Sequence, residues 1–240
     1  MVKSTQISSQ EELMTTATKN THLYILLDRS GSMDSIASDV IGGYNAFLRD
    51  QKNNGDDARV TLVQFDSADV QEVIAAGVPI AEMVDLTPAT FVPRGGTPLL
   101  DATGKLIGRA QLSQEVRQQN SLQEEDIMFV TITDGEENQS SEFTLKQIKK
   151  LIEKCEKDGW TFVFLSAALD AYGDAQSMGM KAGNIQAFSA SADGANLAFT
   201  SLSGNISRIR EMKRMGVDTR DVDVFEEKLA EIQRLKDEGK

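Results

Sequence analysis

An α/β fold is predicted: an open, doubly wound, mostly parallel sheet of the Rossmann-like kind, with one antiparallel edge strand, helices on both faces and a C-terminal helical extension. Three observations predict it. Short apolar runs at 22–28, 59–66, 127–134 and 160–166 alternate with segments whose apolar residues recur at three- and four-residue steps. Within the runs the apolar residues are nearly continuous, as in parallel strands covered on both faces. Asp28 and Asp134 each close one of these runs, and open α/β sheets bind ligands beyond the carboxyl ends of their strands.

The elements follow in chain order. Residues 1–21 are polar and aperiodic, a loosely ordered arm with one short helix expected at 11–17. Strand 22–28 leads through a Ser/Gly loop into a helix marked by Ile36, Val40, Tyr44, Phe47 and Leu48. Strand 59–66 turns at Asp66–Asp69 into an alternating run at 70–74, which suits the antiparallel edge. Residues 77–98 hold all four prolines and the Gly95-Gly96 pair, a long surface loop. A helix from Leu99 to about Gln119, a strand at 127–134, a helix at 142–157 and a strand at 160–166, expected at the sheet centre, come next. A short helix at 172–178 and a short strand at 184–188 complete the alternation. These elements place the main domain at 22–192. Residues 193–240 read as two helices, 193–215 and 219–238, packed on the domain or used for association. The second carries the stripe Val222, Phe225, Leu229, Ile232 and Leu235.

Composition narrows the chemistry. A chain of 240 residues, 40% apolar, buries a full core without staples. Cys155 is the only cysteine and His22 the only histidine, which excludes an intrachain disulfide and makes a zinc cluster untenable. Any bound metal must rest on oxygen ligands. The net charge of −12 disfavours nucleic acid; from 205 to 240 basic and acidic residues balance at nine each, so the excess lies upstream. No secretory signal and no membrane span is legible, and a cytoplasmic protein is expected.

Three loops carry the candidate chemistry. Asp28-Arg29-Ser30-Gly31-Ser32 sets a carboxylate and two hydroxyls on one turn, with Gly31 permitting the bend. Gly95-Gly96-Thr97-Pro98 offers a hydroxyl just before a helix, and Thr133-Asp134-Gly135 offers a second carboxylate. Hard cations such as Mg²⁺ take such oxygen donors. Taken singly, each loop also reads as a helix cap or a turn; their coincidence at one sheet edge favours metal.

In these three loops the chain resembles the von Willebrand factor A (VWA) domain family, whose metal-ion-dependent adhesion site (MIDAS) has the pattern D-x-S-x-S, then a Thr after Gly-Gly, then an Asp in a T-D-G turn. The resemblance covers roughly residues 22–188 and is to the stand-alone bacterial or phage type. It implies metal ligation by Asp28, Ser30, Ser32, Thr97 and Asp134, with Gly31, Gly95, Gly96, Asp101 and Gly135 shaping the loops. It implies Mg²⁺, with Mn²⁺ or Ca²⁺ as alternatives, and a partner protein that supplies an Asp or Glu carboxylate to the ion. Some relatives work beside AAA+ ATPases, so a partner in such a complex is a further expectation.

The function expected is therefore a non-enzymatic, metal-dependent protein-binding module, without nucleic acid or membrane as partner. The alternative is a Mg²⁺-dependent phosphohydrolase or phosphotransferase on the same kind of sheet, weakened because Ser30 stands where a second catalytic Asp would be needed. Glu136 and Glu137 are expected only to shape the local potential. Asp66 and Asp69 are expected in a solvated hairpin, His22 in a structural role, and Cys155 to be inert on its helix.

Overall fold

The computed structural model describes residues 19–225. The expected arm and its short helix lie outside this range except for its last three residues, and so does most of the Val222–Leu235 stripe. Six strands form one sheet in the order β3-β2-β1-β4-β5-β6: β1 (Thr21–Asp28), β2 (Ala58–Phe65), β3 (Glu72–Pro79), β4 (Asp126–Thr133), β5 (Thr161–Ser166) and β6 (Ile185–Ala187). All neighbours pair in parallel except β3, which runs antiparallel along β2 as the edge strand. β1 and β4 are the central pair. β5 is not central as expected, because β6, only three residues long, is its sole outer neighbour.

The continuous apolar runs have the reason anticipated: alternate residues serve opposite faces. Leu23, Ile25 and Leu27 of β1 pack with α1 (Ala37–Asn53) and α5 (Ala192–Arg214). Tyr24 and Leu26 pack on the other face with α2 (Leu99–Gln119), α3 (Leu145–Lys157) and α4 (Ala171–Ser177). α5 gives Ala198, Phe199, Leu202, Ile206 and Ile209 to the first cluster. It lies so close to α1 that a Cβ on Gly43 would stand 2.2 Å from the Phe199 ring.

Three further expectations are corrected. The loop at 77–98 is shorter, because β3 runs on to Pro79 and a 3₁₀ turn covers Ile80–Glu82; Ile80, Met83, Leu86 and Phe91 then anchor it in the core. Residues 219–225 are turns rather than the start of a helix. Val224 and Phe225 are buried there, with the Phe225 N–H on the Gly183 carbonyl at 2.8 Å. Asp66 is not solvated but fully buried.

At the amino-terminal end of the sheet, His22 does play a structural part. Its Nε2 meets Thr61 Oγ1 at 2.9 Å, and Nδ1 faces Glu125 at 3.3 Å. Glu125, also buried, contacts Arg59 at 2.6 Å and Arg117 at 3.4 Å. Burial alone would raise the Glu125 carboxyl; the His22 hydrogen bond and the Arg59 guanidinium outweigh it and hold it down at about 2. A carboxyl depressed in this way stabilises the fold above its unfolded value of 4.5, and that contribution drains away as pH falls toward 2. Between these limits the wild-type melting temperature is expected to drop more steeply than that of Glu125→Gln; parallel curves would show that the charge contributes nothing.

Candidate metal centre

The carboxyl ends of β1 and β4 are adjacent, and the first motif loop leaves β1 there. Asp28 is 0% exposed. Its Oδ1 accepts the Ser30 backbone N–H at 2.7 Å and its Oδ2 accepts the Thr133 hydroxyl at 2.5 Å. The Ser30 and Ser32 hydroxyls lie 3.0 Å apart, and Ser32 donates to Asp134 Oδ1 at 2.7 Å. Thr97 arrives on the third loop. A Cβ built on Gly135 would stand 3.2 Å from Thr97 Oγ1 and 3.5 Å from Ser32 Oγ, so glycine leaves open the space that these hydroxyls face. The structure thus links Asp28, Ser30, Ser32 and Asp134 through hydrogen bonds and turns the Thr97 hydroxyl toward the same open space beside Gly135.

The supporting positions have separate reasons. The Gly31 N–H donates to the Gly95 carbonyl at 3.0 Å, tying the first loop to the Thr97 loop. Gly95 has φ +66°, where any other residue would be strained, and a Cβ there would also displace the Ser67 hydroxyl 2.4 Å away. Gly96 donates to that same Ser67 hydroxyl at 2.9 Å. Asp101, in the first turn of α2, accepts the backbone N–H groups of Ser141, Glu142 and Phe143 at 2.7–3.2 Å. Burial raises its carboxyl, but those three donors prevail and hold it below the usual range. Asp101 thereby anchors the loop that follows Asp134.

Sequence reasoning missed the reciprocal half of this arrangement. Glu137 does more than shape a potential: it accepts the Leu100 N–H at 2.8 Å, capping an orphan donor of α2, and binds Gln139 and Ser140 within its own loop. Asn138 brackets Thr97, its Oδ1 taking the Thr97 N–H at 2.9 Å and its own N–H reaching the Thr97 carbonyl at 3.2 Å. Residues 136–142 are polar throughout, so no pattern singled these out.

The electrostatics of the group are uncompensated. Burial pushes the Asp28 carboxyl up to about 6; the Thr133 and Ser30 hydrogen bonds pull it back, and the Asp134 charge adds to the rise. Asp134 is raised too, by burial against the Ser32 hydrogen bond. Arg29 sits between Asp28 and Ser30 in sequence, yet its guanidinium turns away to Asp66 and Glu72. Among the described residues no lysine or arginine forms an ion pair with Asp28 or Asp134. Nor is there a cluster of three or more His, Cys, Asp or Glu side chains placed to hold a metal. A cation here would draw on two carboxylates and the three hydroxyls, a donor set of hard oxygens that fits Mg²⁺ and its like.

Other candidates lie elsewhere. Cys155 is buried, and burial pushes its thiol up to about 11, which makes it inert at neutral pH. A cleft of about 780 Å³, lined in part by Arg117, Glu125, Trp160 and Lys213, opens at the opposite end of the sheet and touches none of the five motif residues. Among the described residues no helix is long and apolar enough to cross a membrane.

No family model matches the sequence, and no curated protein matches it in sequence. Solved structures do resemble it. The pilus adhesin SpaC from Lactobacillus rhamnosus GG superposes with a TM-score of 0.58 at 15% identity, over 80% of this chain and 30% of the adhesin. This chain therefore spans under a third of the adhesin's length. Proximal thread matrix protein 1 from the mussel byssus gives 0.51 at 12% identity, over 79% and 46% of the two chains. The SpRpn10 VWA domain gives 0.50 at 14% identity, over 76% of this chain and 94% of that one. At such identities the likeness is one of fold.

Proposed function

On this von Willebrand factor A-type fold, we propose that the chain is a non-enzymatic protein-binding module whose docking point is a divalent cation, Mg²⁺ in the first instance, held by Asp28, Ser30, Ser32, Thr97 and Asp134. The observation that carries the reading is a pair of carboxylates, one fully buried, linked through serine hydroxyls and left without a cationic partner. When bound, the cation supplies an electrophilic position that a carboxylate of a partner protein can fill. Ser32 is exposed and Asp134 only half-buried, so such a carboxylate has access. A partner within an AAA+ ATPase-associated complex is the form suggested by the sequence resemblance.

Thermal unfolding tests the metal. A cation at 100 times its dissociation constant is expected to add about 2.7 kcal/mol, roughly 5–10 °C for a chain of this size. No rise with Mg²⁺, Mn²⁺ or Ca²⁺ would sink the metal reading. Displayed random peptides selected on the protein in Mg²⁺ test the partner chemistry. Binders are expected to carry Asp or Glu and to elute with EDTA; binders indifferent to both would refute carboxylate docking.

A further inference from the structure

We infer that Asp66 is the positioning residue of this centre, fastening the loop of Ser30 and Ser32 to the loop of Thr97 and so setting the affinity for the cation. The inference rests on the metal-site reading above and concerns residues outside the five ligands.

Asp66 follows β2 directly, and its two oxygens have different tasks. Oδ1 accepts the Ala68 and Asp69 N–H groups at 2.6 and 2.9 Å, which closes the hairpin into β3. Oδ2 accepts Arg29 Nε at 2.7 Å and Arg94 Nε at 2.9 Å. Arg29 lies between Asp28 and Ser30; Arg94 lies three residues before Thr97. One buried oxygen therefore holds an arginine from each of the two loops that must meet around the ion. Backbone bonds run along the same seam: Arg29 N–H to the Phe65 carbonyl at 3.0 Å and Arg94 N–H to the Arg29 carbonyl at 2.8 Å. Ser67, the next residue of the hairpin, receives the Gly96 N–H. Glu72 of β3 lies beyond, in contact with Arg29 and 3.8 Å from Arg94.

Closing the hairpin requires only Oδ1, so the second oxygen is free to serve the loops. The need for it is geometric. Thr97 is far in sequence from Ser30 and Ser32, and Mg²⁺ demands near-octahedral donors within narrow distance limits. A hydroxyl on an untethered loop would meet that demand only part of the time.

The test is Mn²⁺ binding by calorimetry, with melting temperatures in EDTA, for wild type, Arg94→Gln and Ser67→Ala. Both substitutions lie on the exposed rim and each removes one tether. The Mn²⁺ dissociation constant is expected to rise about ten-fold in each, while the melting temperature in EDTA moves by no more than about 2 °C. Arg94→Gln is diagnostic, because deleting a positive charge near a cation would tighten binding by electrostatics alone. Wild-type or tighter Mn²⁺ binding by the folded variants would overturn the inference. Loss of the fold in either would also overturn it, since the network would then serve the fold and not the loop. A wild type that binds no Mn²⁺ would defeat the metal reading itself; binding by wild type with unchanged variants defeats this inference alone.

Discussion

Asp28→Asn is expected to be more stable than wild type in EDTA and to lose that advantage at a Mg²⁺ concentration 100 times the dissociation constant. The first half follows from burial. A carboxyl raised from 3.8 to about 6 on folding binds its proton more tightly in the folded chain. Wild-type stability therefore falls as pH rises from about 4 to about 6, and the penalty is complete at neutral pH, on the order of 3 kcal/mol. Asparagine removes the charge and retains most of the bonding. Its Oδ1 still accepts the Ser30 N–H, and its amide can donate to Thr133 Oγ1, whose own hydrogen can turn to the Gly135 carbonyl 3.2 Å away. The second half follows from linkage, because the variant forgoes the roughly 2.7 kcal/mol that the cation adds at 100 times its dissociation constant. The variant's advantage of about 3 kcal/mol in EDTA thus shrinks to near zero in Mg²⁺, a swing of about 2.7 kcal/mol set by the metal alone. Melting curves of both proteins at pH 7.5, with EDTA and with Mg²⁺, check it. A variant less stable than wild type in both media would mean that the aspartate is a structural cap and that the metal reading lacks its physical basis.

Arg210→Ala is expected to cost about 3–5 kcal/mol, the largest loss among the single substitutions considered. Arg210 is 0% exposed on α5. It donates to the Gln51 and Gly55 carbonyls, both at 2.9 Å, and to Gln51 Oε1 at 3.1 Å. A further bond reaches Asp57 Oδ1 at 2.6 Å. The two carbonyls stand at and just beyond the last turn of α1, where orphan acceptors and the negative end of the helix dipole favour a cation. Gln51 in turn donates to the Ser203 carbonyl and the Ser207 hydroxyl of α5, so the network binds the two helices from both sides. Alanine would leave those acceptors unpaired and open a cavity in their midst. Arg214, partly exposed and sharing Asp57, serves as the control, with a loss of about 1 kcal/mol or less. Urea unfolding checks both. An Arg210→Ala loss no larger than the control's would mean that α5 is a detachable appendage and not a layer of the folded unit.

Much of this protein is written in local pattern. Nearly continuous apolar runs specify strands covered on both faces, because residues of alternate parity pack to opposite sides, as Leu23, Ile25 and Leu27 do against Tyr24 and Leu26. The helix expected from Leu99 to about Gln119 is α2. Three motif loops offered oxygen donors as candidates, and the resemblance to the VWA family grouped Asp28, Ser30, Ser32, Thr97 and Asp134 into one expected ligand set. The fate of Asp66 was not legible. A carboxylate in an Asp-rich turn looks solvated, and nothing adjacent in sequence announces that Arg29 and Arg94 converge on it from loops folded against the hairpin. Asn138 was hidden for the same reason.

By itself, then, the sequence determined the α/β class, the helix and strand periods, the exclusion of a disulfide within this sequence and the oxygen character of the candidate site. Only the tertiary structure decided that β1 and β4 form the sheet centre, that Glu137, Asn138 and Asp101 lock the loops around Thr97, and that Asp28 is left without a cationic partner. The physical reason is range. Periodicity and turn chemistry act over a few residues and are visible in one dimension. Burial and ion pairing depend on which distant loops the order of the strands brings to the same edge.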